Sequence, residues 1–449
     1  MKIKMSDKPA IVVALNGDVT ARSLVQSNAM EELRKQFNVI YLCSDSVSIE
    51  LTNSFRVDFL NSRGRWVKLV DYYLWELSYF KYLRRFTSIR ERRKDFRVIM
   101  LSKKQRTLLT VLSLPVICKI IMPLMENLVV QHNKEIYRFL KKINPKIIII
   151  PGAQSDSFGL DVIKCARLLS IKTIMTVMHW DFFSLKGLLR AAPDIISVWG
   201  EQMCEMAVKL HKIPQEKIRI TGVPQFEIYK NSIDMNIARK NLGLPVDKKL
   251  LLFAGTGVPF DEMSILEEID SLIGTELFSD VIVLYRPHPK KHKSRKNEKD
   301  FNEYKFKNIE LDPENILGKK KIGKTSLEYY INLLYSIDGL ISPFSTMTLE
   351  AALCGKPCMT IAFSDNLHTW KFERALTFKH LLPLQEFDWV SLCKNKNDIK
   401  KSLVRLLKTI DKSDISLKIK KDIQYIVYSD KNSYSKRLFN LVSEHIGKV

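Results

Sequence analysis

Three groups of residues have types and spacings that could do chemistry. In DGLISPFSTMTLEAALCGKPCMTIAF, residues 338–363, Ser345 and Thr346 place two hydroxyls together, and Glu350 follows one helical turn after Thr346. Hydroxyls beside the unpaired N–H groups at the positive end of a helix suit a phosphate or diphosphate. A carboxylate one turn further on could accept hydrogen bonds from ribose. The plainer reading stands beside this one: Ser345 as an ordinary helix cap and Glu350 as a solvated side chain. The second group is RPHP, residues 286–289. Arg286 and His288 end a strand, Pro287 and Pro289 stiffen the loop, and the two cations could neutralise charge on a departing nucleotide phosphate. A rigid turn running into the surface cations of KKHKSRK is the alternative. Gly255-Thr256-Gly257 joins this set, because its glycines let backbone N–H groups approach a phosphate or sugar. The third group is Asp18, Asp181 and His179, candidates for the base that takes a proton from an acceptor hydroxyl. Asp18 reads equally well as a helix cap.

The surrounding pattern positions these residues. Asp338–Ser342 reads as a short buried strand, Ser345–Leu353 as an amphipathic helix stopped by Gly355-Lys356-Pro357, and Cys358–Phe363 as the next strand. Ser342, at the end of the first strand, is grouped with the donor-binding residues. Leu250–Ala254 and Val281–Tyr285 read as strands leading into the glycine loop and RPHP. In the first half, Ala10–Leu15, Val39–Cys43, Lys146–Ile150, Thr173–Met178, Ile195–Val198 and Ile218–Thr221 read as strands between helices, the signature of a doubly wound parallel sheet. Asp18 and HWDFFSLKG, residues 179–187, then fall on its carboxyl edge. The first loop lacks G-x-G-x-x-G, so no dinucleotide fingerprint is supported.

The order strand, S-x-x-S-T, Glu, G-K-P, strand resembles the donor segment of GT-B-fold glycosyltransferases. Relatives on that fold include the non-hydrolysing UDP-N-acetylglucosamine 2-epimerases and the CDP-glycerol polyol-phosphate transferases. The H-P pair is similar to one in bacterial sialyl- and Kdo-transferases. The run W-D…S-K-G, P-D…W, H-K-I-P…I-T-G-V-P-Q-F resembles the end of the acceptor domain in surface-polysaccharide transferases, although Phe182-Phe183 stand where smaller polar residues belong. The resemblance implies that Ser345 and Thr346 hold a nucleotide diphosphate, that Glu350 holds ribose and that His288 contacts the nucleotide.

The totals narrow the partners. With 72 Lys+Arg against 49 Asp+Glu the net charge is +23, which calls for an anionic partner. Eleven Lys/Arg in residues 81–106 precede TLLTVLSLPVICKIIMPLM, residues 107–125. Basic residues beside apolar surface fit a peripheral contact with an anionic membrane, or a solvated helical insertion; Lys119 and two prolines argue against a span. Nucleic acid is not expected, because stacking aromatics are not interleaved with the cations. Seven scattered cysteines read as reduced cytosolic thiols, and the N-terminus reads as strand rather than signal peptide. GKKKIGKT, residues 318–325, matches the Walker pattern, but Asp312–Asn315 separates it from the preceding strand, which disfavours a P-loop.

The sequence therefore predicts an α/β protein of two doubly wound Rossmann-like domains facing a cleft. The acceptor side spans 1–228 with an insertion at about 81–130. A linker covers 229–247 and the donor domain 248–425, and the resemblance implies that a final helix in 426–449 returns to the first domain. The expected function is a metal-independent, inverting transfer of a sugar from a nucleotide-sugar donor to a glycan or lipid-linked acceptor in surface-polysaccharide synthesis. No D-x-D occurs, so no cofactor or metal is expected. Localisation is expected to be cytoplasmic, peripheral on the inner membrane. An epimerase, a CDP-polyol phosphotransferase and a non-enzymatic basic membrane adaptor are the alternatives.

Overall fold

The computed structural model describes residues 7–59, 64–83, 101–129, 133–152, 157–186, 189–288, 301, 304–314, 327–368 and 371–446. The chain divides into two compact units, residues 1–227 with 425–449, and residues 228–424.

The first unit holds a seven-stranded sheet in the order β3-β2-β1-β4-β5-β6-β7. Its strands are β1 (Ala10–Leu15), β2 (Asn38–Ser44), β3 (Ser54–Val57), β4 (Ile147–Pro151), β5 (Lys172–Thr176), β6 (Ile195–Val198) and β7 (Ile218–Ile220). All neighbours pair parallel. Runs such as Ile147–Ile150 are apolar without alternation because helices cover both faces of a parallel sheet. Edge strand β3 escapes the sequence reading, since Ser54-Phe55-Arg56-Val57 is short and half-exposed.

The second unit holds six parallel strands in the order β10-β9-β8-β11-β12-β13. They are β8 (Lys249–Ala254), β9 (Val281–Arg286), β10 (Ile309–Leu311), β11 (Gly339–Pro343), β12 (Cys358–Ile361) and β13 (Val390–Cys393). Both sheets reverse direction of growth once: beside β1, where β4 follows β3 in the chain, and beside β8, where β11 follows β10. At such switch points the loops leaving the carboxyl ends turn to opposite faces and open a crevice. The fold class is the α/β, doubly wound one.

Residues 425–449 rejoin the first unit. Tyr434, Leu438, Leu441 and Val442 of helix Tyr434–Ile446 enter the core with Ile11, Val13 and Leu33. The Arg437 guanidinium donates to the Thr221 carbonyl (2.7 Å) and pairs with Glu227 (2.6 Å) and Asp430 (3.0 Å). Gly222 sits at φ +74°, and a Cβ there would lie 2.4 Å from the Tyr428 carbonyl oxygen. The returning segment can pass only because that position carries no side chain.

Between β3 and β4 lies a helical insertion: Arg65–Leu83, Lys103–Leu112 and Pro115–Val129. The apolar stretch 107–125 is thus two helices, broken where Ser113 caps the first and Pro115 opens the second, and bent by 99°. Residues 84–100 of the basic segment lie outside the described residues, as does the whole of 318–325.

Candidate active site

The sheet order of the second unit brings two of the sequence groups to one edge. β9 and β11 flank β8 on either side, so the loops after Arg286 and Pro343 begin two strand spacings apart, roughly 10 Å. Arg286 lies in register with Ala254, and the Gly255 N–H donates to the Arg286 carbonyl (2.8 Å). The glycine loop is therefore bonded to the base of RPHP. A Cβ on Gly257 would stand 2.8 Å from Cε1 and 2.9 Å from Nδ1 of His288. The imidazole thus lies flush against the glycine. Gly257→Ala is expected to push the ring aside at little cost in stability, since a side-chain tip can move, and to lower donor turnover by about 10–100-fold. Unchanged turnover in a steady-state assay would dissociate His288 from the site. Thr256 is set by its own N–H, which donates to Glu262 (2.8 Å), a buried carboxylate that also accepts from Tyr285 (2.6 Å). Pro289 lies outside the described residues.

On the other side of β8, Ser345 occupies the cap position of helix Thr346–Leu353. Its hydroxyl makes no capping bond, although its oxygen is buried and has no hydrogen-bond partner among the described residues. A buried serine hydroxyl is normally satisfied, and here the usual N-cap arrangement would satisfy it. Thr346 beside it is exposed. Glu350, one turn on, accepts from Tyr229 (2.6 Å) and Tyr330 (2.7 Å), both at Oε2. Burial raises its pKa, and the two tyrosine bonds and the nearby Arg286 guanidinium pull it back. That guanidinium stands 5.4 Å from the Tyr330 ring centre and is ion-paired with the buried Asp312. Arg286, Tyr330 and Glu350 thus form one connected cluster around the β9 and β11 loop starts.

Two expectations change. Ser342 does not present its hydroxyl to a ligand: it is buried and donates to the Pro343 carbonyl (2.9 Å). Glu350 keeps at most Oε1 for a ribose, because Oε2 is already taken by two tyrosines.

A family model described as CDP-Glycerol:Poly(glycerophosphate) glycerophosphotransferase matches residues 192–444, more than half of the chain. The chain belongs to this family. No curated protein matches it. Solved structures share the fold along nearly the whole chain, three of them as follows. One is titled a putative UDP-N-acetylglucosamine 2-epimerase from Listeria monocytogenes (TM-score 0.55, 12% identity, 98% of this chain and 96% of that one). Another is the Methanocaldococcus jannaschii UDP-GlcNAc 2-epimerase in complex with UDP-GlcNAc and UDP (0.52, 13%, 96% and 99%). The third is a glycosyltransferase from Rickettsia africae (0.51, 10%, 99% and 100%). At these identities the likeness is one of fold, which is of the GT-B type.

The glycerophosphotransferase family's matched region takes in the whole donor-side cluster but not the candidate bases of the first unit. Those lie on the carboxyl edge of its sheet, after β1 and β5, with β4 between them. Asp18 does not suit a base: its carboxylate accepts from the Ser48 hydroxyl and from the N–H groups of Ser48 (2.7 Å) and Ile49 (3.1 Å). These bonds hold its pKa below the usual carboxylate value. It tethers the loop after β2. Asp181 pairs with Lys186 (3.5 Å). His179 keeps an exposed surface, yet protein crowded around its ring lowers its pKa, ahead of the opposing pull of Asp181. It is the group of the three whose neutral, proton-accepting form is favoured near neutral pH. Phe182 and Phe183, the departure noted in the sequence, are core residues. Tyr229, Tyr330 and Asp312 escape the sequence reading; the Tyr329-Tyr330 pair was the one local signal.

Proposed function

We propose that this chain transfers a group from a nucleotide-activated donor to a glycan or lipid-linked acceptor in cell-surface polymer synthesis. The donor phosphates would be held in the second unit by the Ser345–Thr346 helix start, Arg286, His288 and the 255–257 backbone. Family membership favours a CDP-linked polyol phosphate as donor. In that reaction the acceptor oxygen bonds to the phosphorus bearing the polyol, the bond from that phosphorus to CMP breaks, and the acceptor proton goes to a base, for which His179 is the candidate. Arg286, His288 and the helix dipole would stabilise the charge gathering on CMP, the task a divalent ion performs elsewhere. A second reading, sugar transfer from a nucleotide-sugar with departure of the nucleoside diphosphate, is supported by the fold shared with an enzyme solved in complex with UDP-GlcNAc.

The observation that carries the proposal is the buried Ser345 hydroxyl with no partner among the described residues, at a helix start beside the switch point. Ser345→Ala removes no protein hydrogen bond, so its Tm should equal or exceed that of the parent. Donor affinity should weaken about tenfold, the value of one hydrogen bond to a charged group. Thermal-shift titration with CDP-glycerol, CDP-ribitol, UDP-GlcNAc, GDP- and CMP-linked sugars reads both quantities, and release of CMP or of a nucleoside diphosphate separates the two chemistries. A destabilised Ser345→Ala with unchanged donor affinity would assign the serine to the fold alone. Turnover of UDP-N-acetylhexosamine without acceptor would favour epimerisation instead.

A further inference from the structure

The helical insertion of the first unit sorts its side chains in a way that a water-facing surface does not require. More than half of the large apolar side chains exposed among the described residues belong to it. Helix Pro115–Val129 is apolar nearly all round: Cys118 packs inward, while Val116, Ile120 and Leu124, spaced four apart on the opposite face, are 73%, 59% and 59% exposed. A helix apolar on every side belongs in a core or in lipid. Leu108 and Val111 of helix Lys103–Leu112 and Trp66 and Leu69 of helix Arg65–Leu83 are exposed as well.

The charges are sorted too. The exposed charged residues on these helices are all cations: Arg65, Lys68, Lys103, Lys104 and Lys119. Their acids turn inward. Glu76 is buried, and Asp71 (2.7 Å) and Glu126 (2.6 Å) hold the buried Arg190 guanidinium. Among the described residues no single helix is long and apolar enough to cross a membrane, and the 103–112 and 115–127 pair is bent by 99°. Exposed apolar side chains and exposed cations on the same helices, too short and too bent to span, match an element lying in one face of a bilayer.

We infer that helices Arg65–Leu83, Lys103–Leu112 and Pro115–Val129 form a docking face for an anionic bilayer, with Val116, Ile120 and Leu124 entering the acyl boundary and Lys103, Lys104 and Lys119 meeting the headgroups. Charge complementarity selects this occupant: a second copy of the chain would bring the same cations against these. The inference stands apart from the donor chemistry, since it uses residues of the first unit while the cluster around Ser345 belongs to the second.

Sedimentation of the full chain with vesicles of phosphatidylglycerol and phosphatidylcholine in equal parts, or of phosphatidylcholine alone, tests it. The parent should bind the anionic vesicles and not the neutral ones. Ile120→Glu/Leu124→Glu and, separately, Lys103→Glu/Lys104→Glu should each lower the partition coefficient at least about tenfold. Leu417→Glu, at an exposed leucine of the second unit, should bind like the parent, and circular dichroism should show each variant folded. Equal binding to both vesicle types, undiminished binding by the folded variants, or a dimer that Ile120→Glu/Leu124→Glu splits into monomers would overturn the inference.

Discussion

Arg286→Lys is expected to lower kcat/KM for the donor by about 10²–10³-fold while shifting Tm little. The side chain does two things at once. It neutralises the buried Asp312, which Tyr329 also bonds, and it lies across the Tyr330 ring toward Glu350. Lysine keeps the positive charge, so Asp312 is not left as an uncompensated buried anion. It cannot reproduce the planar fork that faces Asp312 with one edge and, in the proposed function, would face a donor phosphate with the other. Losing one preorganised donor at a site where charge develops costs about 2.7–4 kcal/mol of transition-state stabilisation. Steady-state kinetics against a fixed acceptor, read beside a melting curve, checks this. Parent-like kcat/KM would remove Arg286 from the chemistry, and a collapse of Tm with proportionate loss of activity would make it a structural ion pair.

The largest effect on stability is expected from Arg239→Leu, which should cost about 3–5 kcal/mol. Arg239 is among the largest fully buried side chains. It donates to the carbonyls of Ser336 (2.8 Å) and Lys248 (2.9 Å) and pairs with Asp338 (2.5 Å). Asp338 in turn accepts from the Leu250 N–H (2.6 Å). One guanidinium thus joins the helix Met235–Leu242 to the starts of β8 and β11, the two strands that define the switch point. Leucine leaves the buried Ser336 carbonyl, the Lys248 carbonyl and the partly buried Asp338 carboxylate without it. Denaturant titration should show a lower midpoint with a similar slope. Arg239→Leu/Asp338→Asn should recover part of the loss, because the remaining charge is gone as well. A loss below about 1 kcal/mol would show that water replaces the guanidinium.

What local sequence determined is local in its physics. Strands β1, β4 and β8 announce themselves as unbroken apolar runs, because both faces of a parallel sheet are covered. The helix start at Ser345 follows from the strand, turn and Gly355 around it, whereas the final helix Tyr434–Ile446 is what the resemblance implies. The charge of +23 argues for an anionic partner without saying which face would meet it. The tertiary structure decided the rest. Tyr229 and Glu350 are 121 residues apart, and no periodicity connects them. Only the arrangement of helices around β11 brings both tyrosines to one carboxylate. Sheet order, not sequence order, puts RPHP and Ser345 on opposite sides of β8. A hydroxyl at a cap position is a capping group or a ligand group according to the backbone it faces. For Ser345 the fold withholds the backbone partner, and no reading of neighbours along the chain could have shown that.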